Sequence, residues 1–384
     1  MARVLYTVNI PRFFLTHRLP LALAARDAGH EVHVATSDAD RDAVARIVET
    51  DLPHHPLPLE QHGTSPLKEA VTLSAIVGLY RRLSPDLVHH VSIKPVLYGG
   101  LAARLTRVPA VVAMMTGLGQ LFVEGPEGPA RLRGAVQPLL RVALAHRNSR
   151  MVFQNDDDRR RFVDAGLVDA ARTVCIAGSG VDVRRFRPTP EADGTPVVLY
   201  AGRLLWSKGL DAFVTLAGAL AGRARFLIVG YPEPSAPDAV PLARVEAWRD
   251  AGLIEWWGRR DDMPDVLARA HVVVLPSRHG EGLPKVLVEA AACARATVAP
   301  DTAGCRDACR DGETGLIVPP GDDEALVAAV ARLLDDPDLR RRFGTAGREL
   351  AEREFAIDLV NARTLALYDE LLAAAGIGRP RRGA

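Results

Sequence analysis

The chain has 384 residues, which is too long for one typical hydrophobic core and suits two domains. It is 48% hydrophobic and 25% charged, as ordinary globular proteins are, and its net charge of +1 supplies no overall field for binding nucleic acid. Its four scattered cysteines indicate reduced, cytoplasmic thiols and not a zinc site.

Strands alternate with helices through the first half of the chain. Hydrophobic patterning predicts strands at 3–8, 31–35, 86–91, 110–115, 151–154 and 173–176, and helices at 19–28, 67–83, 101–105 and 131–146. Pro138 is expected to kink or break the last of these helices, because proline lacks the amide hydrogen that a helix needs. The N-terminus is predicted to be a strand and not a signal peptide, and no apolar run approaches the ~20 residues of a membrane span.

The second half repeats this alternation. Strands are predicted at 197–200, 226–229, 271–275, 297–299 and 316–318, with helices between them. Repeated strand–helix units indicate parallel sheets covered by helices on both faces, so two Rossmann-like domains are expected. The boundary is predicted near 185–194, where prolines and glycine cluster.

Two glutamates eight positions apart, Glu281 and Glu289, follow the apolar strand at 271–275. Pro284 suits the first turn of a helix, so Glu281 is expected in a strand-to-helix loop and Glu289 on the helix. The backbone amides of Gly282 and Leu283 would lie at the positive end of that helix, where phosphate binds well. A carboxylate beside such a site can bind sugar hydroxyls.

Two cations follow the strand at 197–200. Arg203 comes directly after Gly202, and Lys208 precedes Gly209 and an amphipathic helix. Arginine offers a planar fork of donors and lysine a compact charge, so together they can hold a diphosphate without a metal ion.

These two motifs resemble those of retaining, nucleotide-sugar-dependent glycosyltransferases of family 4, which have the GT-B fold. The resemblance covers almost the whole chain, to about Tyr368. It implies an α/β protein with two Rossmann-like domains that face each other across a cleft and a C-terminal helix that crosses back to the first domain. The implied divisions are an acceptor-binding domain at 1–187, a donor-binding domain at 188–356, a crossing helix at 357–376 and a disordered tail at 377–384.

The resemblance also assigns roles in the donor site. Arg203 and Lys208 would contact the donor diphosphate, and Glu281 would orient the donor sugar. Glu289 would accept hydrogen bonds from ribose hydroxyls. The cations and the amides of Gly282 and Leu283 would stabilise the departing diphosphate by preorganised charge. Nearby His279 either lines this donor pocket or is an ordinary loop histidine. No metal or other cofactor is expected; the nucleotide-sugar, with UDP favoured, is a substrate.

Further segments resemble a bacterial subgroup that extends glycans on polyprenyl diphosphate carriers. They lie at 9–20, 89–99 and 116–119. The residues that this resemblance assigns to the acceptor or the cleft are His17, His89, His90, Lys94, Thr116, Gly117 and Gly119. Each histidine has a structural alternative as a buried or capping residue.

The segment 128–155 contains no acidic residue and alternates arginine with apolar residues. Its arginines include Arg131, Arg133, Arg141 and Arg147. Such a basic amphipathic helix either contacts an anionic membrane or packs on the core with a solvated basic edge. A lipid-linked acceptor favours the first, so a cytoplasmic protein, peripheral at the inner face of the plasma membrane, is expected.

The sequence also bears on three other functions. A nicotinamide-dependent oxidoreductase would need a Gly-x-Gly-x-x-Gly turn after the first strand, and the chain has Asn9-Ile-Pro11 there. A nucleotide-sugar epimerase of the same fold and a non-catalytic sugar-nucleotide-binding protein stay open as alternatives. The prediction is a hexosyl- or other glycosyltransferase in surface polysaccharide or glycoconjugate biosynthesis.

Overall fold

The computed structural model of the chain describes residues 1–60, 65–117, 130–233 and 236–378. Its residues divide into two compact units. Unit 1 comprises residues 1–179 together with 360–384, and unit 2 comprises residues 180–359.

Unit 1 is built on a parallel sheet of short strands. The strands are Arg3–Val8 (β1), Glu31–Thr36 (β2), His54–Pro56 (β3), Leu87–Val91 (β4), Ala110–Met114 (β5), Ser149–Phe153 (β6) and Thr173–Cys175 (β7). The helices are Pro11–His17 (α1), Leu19–Asp27 (α2), Arg41–Val48 (α3), Pro66–Leu83 (α4), Gly100–Thr106 (α5), Ala130–Leu144 (α6) and Asp156–Asp164 (α7). A π-helical turn, Pro95–Gly99, precedes α5, and a 3₁₀ turn, Ala170–Arg172, precedes β7.

Within the described residues the strand order of this sheet is β3-β2-β1-β4-β5-β6-β7, and every neighbouring pair is parallel. The chain runs outward from β1 in one direction and then outward from β4 in the other, so the order reverses between β1 and β4. Open α/β sheets bind ligands at the carboxyl ends of the strands at such a switch point.

Unit 2 repeats the plan with a second parallel sheet. Its strands are Val197–Ala201 (β8), Arg225–Val229 (β9), Glu255–Trp256 (β10), Val272–Val274 (β11), Ala296–Pro300 (β12) and Gly315–Val318 (β13), in the order β10-β9-β8-β11-β12-β13. Its helices are Leu210–Ala219 (α8), Leu242–Asp250 (α9), Met263–Ala268 (α10), Lys285–Ala292 (α11), Cys305–Ala308 (α12), Asp323–Asp335 (α13) and Pro337–Leu350 (α14). The switch point of this sheet lies between β8 and β11.

The last helix, Ile357–Ala374 (α15), begins in unit 2 and from Val360 onward belongs to unit 1. Tyr368 anchors it there, because its hydroxyl donates to the Tyr6 hydroxyl at 2.9 Å and lies 2.5 Å from His89 Nδ1. Asn148 adds a hydrogen bond to the Leu371 carbonyl oxygen at 2.8 Å. The return of the C-terminal helix to the first unit is therefore confirmed.

Most predicted elements are present, and the structure adds short ones that were not predicted: α1, α3, β3 and β10. The segment after β1 forms the helix α1, which patterning did not predict because it is only seven residues long. A kink or a break was predicted at Pro138, and helix α6 runs through this residue without a break. The run Asp156–Asp158 opens α7, with the side chain of Asn155 capping the helix. The expected disordered tail lies outside the described residues from 379 onward.

Candidate active site

The two motifs of unit 2 lie on neighbouring strands at the switch point. Strand β8 pairs with β11, so the loops that follow them leave the same edge of the sheet side by side. Arg203 follows β8, and Glu281 lies in the loop after β11. This adjacency brings the Lys208 ammonium onto Glu281 Oε1, an ion pair between residues 73 positions apart.

Two glycines allow the backbone around Glu281 to pack this closely. Gly209 has a left-handed backbone with φ of 72°, and a Cβ atom there would lie 1.9 Å from the Pro276 carbonyl oxygen. A side chain at this position would therefore push the Lys208 turn away from the Glu281 loop. Gly304 has φ of 75°, and a Cβ atom there would lie 2.2 Å from the carbonyl oxygen of Gly282. Both glycines allow backbone to pack directly on backbone around Glu281.

Glu281 is held ionised by its neighbours. Its Oε1 atom also accepts a 2.7 Å hydrogen bond from the buried Ser277 hydroxyl. Burial is the largest influence and raises the pKa of Glu281, but the charge and hydrogen bond of Lys208, the Ser277 bond and the Arg203 charge together lower it below its ordinary value. The carboxylate is thus fixed in position and charge.

Glu289 lies in a different environment on α11. It is buried, and its Oε1 atom is 3.0 Å from Lys285 Nζ, four residues earlier on the same helix. Burial raises the pKa of Glu289 above its ordinary value, and Lys285 offsets only part of that effect. The two carboxylates of the motif therefore have pKa values that shift in opposite directions.

Arg203 is the exposed member of the site. Its guanidinium lies 3.2 Å from Glu233 Oε2, and its carbonyl oxygen accepts a 2.8 Å bond from the buried Tyr200 hydroxyl. The backbone is thus fixed while the guanidinium stays at the surface. Arg203, Lys208, Glu281 and Glu289 all belong to unit 2.

Helix α11 begins at Lys285 with Pro284 as its N-cap, so Gly282 and Leu283 lie in the turn before the helix. His279 is exposed in the same loop, and its carbonyl oxygen accepts a 3.2 Å bond from Ser277. The sequence motifs assigned no role to Ser277 or Lys285. The spacing of Lys285 and Glu289 is a recognisable i,i+4 signal, whereas the Ser277 bond depends on the loop conformation.

The described residues assigned to the acceptor lie in unit 1. His89 and His90 are fully buried. His89 lies against Tyr368, and His90 Nε2 lies 2.8 Å from the Tyr80 hydroxyl. Burial lowers the pKa of both rings, that of His90 to about 3. These buried positions favour the structural alternative for both histidines.

The remaining acceptor candidates lie nearer the surface. His17 ends α1 and stacks on Phe13, with ring centroids 4.0 Å apart. Lys94 follows β4, and its Nζ atom lies 2.5 Å from Glu69 Oε1. Thr116 and Gly117 follow β5, and Gly117 has φ of 119°. Gly119 lies outside the described residues.

Within the described residues, no three His, Cys, Asp or Glu side chains cluster as ligands of a metal ion would. In the same part of the chain, no helix combines the length and apolarity needed to cross a bilayer. Arg141 and Arg147 are exposed, whereas Arg131 and Arg133 lie on α6 with side chains outside the described part.

Comparison with known families gives two matches, one in each unit. Residues 3–155 match the family described as "Glycosyl transferase 4-like". Residues 195–336 match the family described as "Glycosyl transferases group 1". The second match contains all four charged residues of the site.

Relatives with known names agree with these matches. The chain is 24% identical over 374 residues to the N,N'-diacetylbacillosaminyl-diphospho-undecaprenol alpha-1,3-N-acetylgalactosaminyltransferase of Campylobacter jejuni subsp. jejuni, covering 92% of this chain and 95% of the relative. It is 31% identical to the D-inositol 3-phosphate glycosyltransferase of Kineococcus radiotolerans over 301 residues, 70% of this chain and 67% of the relative. Both are named as sugar transferases, so the epimerase alternative gains no support.

The fold also matches that of a solved structure. Anabaena Alr3699/HepE in complex with UDP superposes with a TM-score of 0.76 at 18% identity, covering 96% of this chain and 100% of the other. The likeness at this identity concerns the fold alone. Together with the two parallel sheets, it confirms the GT-B class.

Proposed function

The chain belongs to the group 1 glycosyltransferases, the family 4 enzymes of GT-B fold, and from that premise we propose how it binds its two substrates. Unit 2 binds a nucleoside diphosphate sugar, with UDP as the favoured nucleotide. Unit 1 binds a glycan acceptor carried on a polyprenyl diphosphate. The enzyme moves the sugar from the donor to an acceptor hydroxyl with retention of the anomeric configuration.

The observation that carries the donor assignment is the Lys208–Glu281 pair at the switch point of unit 2. Lys208 and Arg203 supply the charge that a diphosphate needs as it leaves, and the anomeric carbon gains positive character in the same step. Glu281, ionised and bonded by Ser277, orients the donor sugar. Glu289 accepts hydrogen bonds from the ribose. No bound metal has a part in this scheme.

The acceptor assignment is supported by the Campylobacter jejuni relative, whose name specifies a diphospho-undecaprenol substrate. That relative matches this chain over nearly the full length of both proteins. We assign the binding of the carrier diphosphate to the side chain of Lys94 and to the neighbouring backbone of Thr116 and Gly117. His17 lies after the adjoining strand, β1. An acceptor of this kind places the enzyme at a membrane surface during catalysis.

The donor assignment is tested by thermal shift with UDP, GDP and ADP in buffer containing a chelator. UDP is expected to raise the melting temperature, because a ligand that binds only the folded state stabilises it. Lys208→Ala and Arg203→Ala should each weaken UDP binding about 10- to 100-fold, the range for losing a hydrogen bond between charged groups. Arg223→Ala, which removes an exposed arginine paired with Asp335 in the same unit, is the control. Unchanged UDP affinity in both site variants contradicts the donor assignment.

A membrane contact through α5 and α6 is part of the proposal. The two helices pack on each other. Leu105 on α5 and Leu139 and Val142 on α6 are exposed, and so is Arg141 on α6. Apolar side chains flanked by cations suit an anionic bilayer. Leu139→Asp should reduce sedimentation with vesicles of anionic phospholipid, whereas Val48→Asp, at an equally exposed valine on α3, should not. Equal sedimentation of both variants rejects this contact.

A further inference from the structure

Only four of the chain's 48 basic residues are lysines, and each of the four pairs with a glutamate. The pairs are Lys68–Glu60, Lys94–Glu69, Lys208–Glu281 and Lys285–Glu289. Arginine and lysine are not interchangeable, since the ammonium is a compact point charge on a flexible stem. Two of the pairs belong to the donor site and one is exposed, which leaves the partly buried Lys94–Glu69 pair to be explained.

Lys94 stands at the switch point of unit 1. It lies three residues beyond Val91, the last residue of β4, in the sheet order that reverses between β1 and β4. Ser92 begins this turn with φ of 78°, a conformation that is costly for a residue other than glycine. The Ser92 amide donates to the Met114 carbonyl oxygen at 3.0 Å, which ties the turn to the end of β5. The lysine is therefore held where open α/β sheets bind ligands.

The partner of Lys94 comes from a distant part of unit 1. Glu69 lies in the first turn of α4, and its Oε1 atom is 2.5 Å from Lys94 Nζ. Both side chains are largely shielded, with exposed fractions of 14% and 15%, compared with 64% and 48% for Lys68 and Glu60. The Tyr98 hydroxyl hydrogen-bonds the same carboxylate, and burial, with the bond and charge of Glu69, raises the pKa of that phenol.

A shielded ion pair of this kind is a poor source of stability, because desolvating both charges offsets their attraction. The pair does, however, determine the electrostatic force on an approaching anion. The ammonium of Lys94 attracts a phosphate, and the carboxylate of Glu69 at the same place repels it. Glu69 and a phosphate thus compete for one cation.

We propose that Glu69 is an internal competitor for the acceptor-diphosphate site at Lys94. The carboxylate occupies the lysine between turnovers and weakens its hold on the carrier diphosphate. This inference rests on the proposed function, which assigns that diphosphate to unit 1. Because the carrier diphosphate is the same before and after sugar transfer, a weakened hold lets the extended product leave. Glu69 is a positioning residue, since it acts on the substrate through Lys94.

The test is a calorimetric titration of the full chain with inorganic pyrophosphate while the donor site is saturated with UDP. Glu69→Gln should bind pyrophosphate about tenfold more tightly than the unaltered chain, the order of magnitude that Coulomb's law gives for removing one like charge from a partly shielded site. The double variant Lys94→Met with Glu69→Gln should lose this binding. It carries neither charge, so it avoids leaving an unpaired carboxylate that would disturb folding.

Glu60→Gln is the matched control, because it removes the same charge from the exposed pair with Lys68 and should leave pyrophosphate affinity unchanged. A gain of affinity is a result that mere structural damage does not produce. If Glu69→Gln binds pyrophosphate no more tightly than the unaltered chain, Glu69 is not a competitor. If the double variant binds as tightly as Glu69→Gln, the site is not at Lys94. Failure of the unaltered chain to bind UDP would instead contradict the donor assignment.

Discussion

Replacing Gly209 by alanine tests whether close backbone packing positions the donor site. The left-handed φ of 72° costs an L-residue about 1–2 kcal/mol. The added Cβ atom would also lie 1.9 Å from the Pro276 carbonyl oxygen, far inside the contact distance of about 3.5 Å for nonbonded atoms. The Lys208 turn or the Glu281 loop must therefore move by more than an ångström.

The expected result combines a stability loss with a larger loss of function. We expect Gly209→Ala to lower the free energy of unfolding by about 2–4 kcal/mol, the sum of backbone strain and the steric conflict. Transfer activity, expressed as kcat/KM, should fall about 100-fold, because a displacement of about 1 Å in a catalytic site has that effect. Urea unfolding and a UDP-release assay measure the two quantities on the same preparation.

Gly222 provides the control for backbone strain alone. It has φ of 78°, near that of Gly209, but no atom lies within 4 Å of the Cβ position. Gly222→Ala should therefore cost only about 1–2 kcal/mol of stability and leave kcat/KM unchanged. The reasoning is refuted if the two variants have equal activity, since the contact with Pro276 would then have no role in positioning Lys208.

Further predictions concern charge in unit 2. The pKa of Glu281 is lowered from an ordinary 4.5, so its ionised form stabilises the protein above that pH. Glu281→Gln should therefore destabilise the protein at pH 7, and this loss of stability should shrink as the pH falls below 4.5. The pKa of Glu289 is raised from the same value, so Glu289→Gln should stabilise the protein at pH 8 and lose that gain below pH 4.5. Chemical unfolding of both variants across this pH range checks the two opposite effects on stability. Parallel pH profiles for the two variants would contradict these predictions. Arg340 is buried and bonds both carboxylate oxygens of Glu191 at 2.7 Å, so Arg340→Ala should cost about 3–5 kcal/mol by leaving a half-buried carboxylate unpaired. Its exposed neighbour Arg341 pairs with Asp338 at the surface, so Arg341→Ala should change stability by less than about 0.5 kcal/mol. Equal losses in the two variants would show that burial does not decide how much these pairs stabilise the protein.

The sequence by itself determined the class of fold and the residues of the donor motifs. The order of strand, loop and helix can be predicted from the sequence, because it depends on the pattern of side chains a few positions apart. Arg203 after β8 and Glu281 after β11 could therefore be placed at strand ends before any tertiary contact was known. The family matches then confirmed the class that these motifs implied.

Only the tertiary structure decided which of these residues meet. The Lys208–Glu281 pair depends on the pairing of β8 with β11 and on the close approach of Gly209 to Pro276. Neither contact produces a periodic pattern in the sequence. Burial favours a structural role for His89 and His90, because the strand that carries both residues is covered on both faces. The Lys94–Glu69 pair joins side chains from α4 and the end of β4, and short-range patterning carries no information on such contacts. Side chains close together in the sequence determine which helices and strands form. The packing of these elements determines which side chains meet in the site.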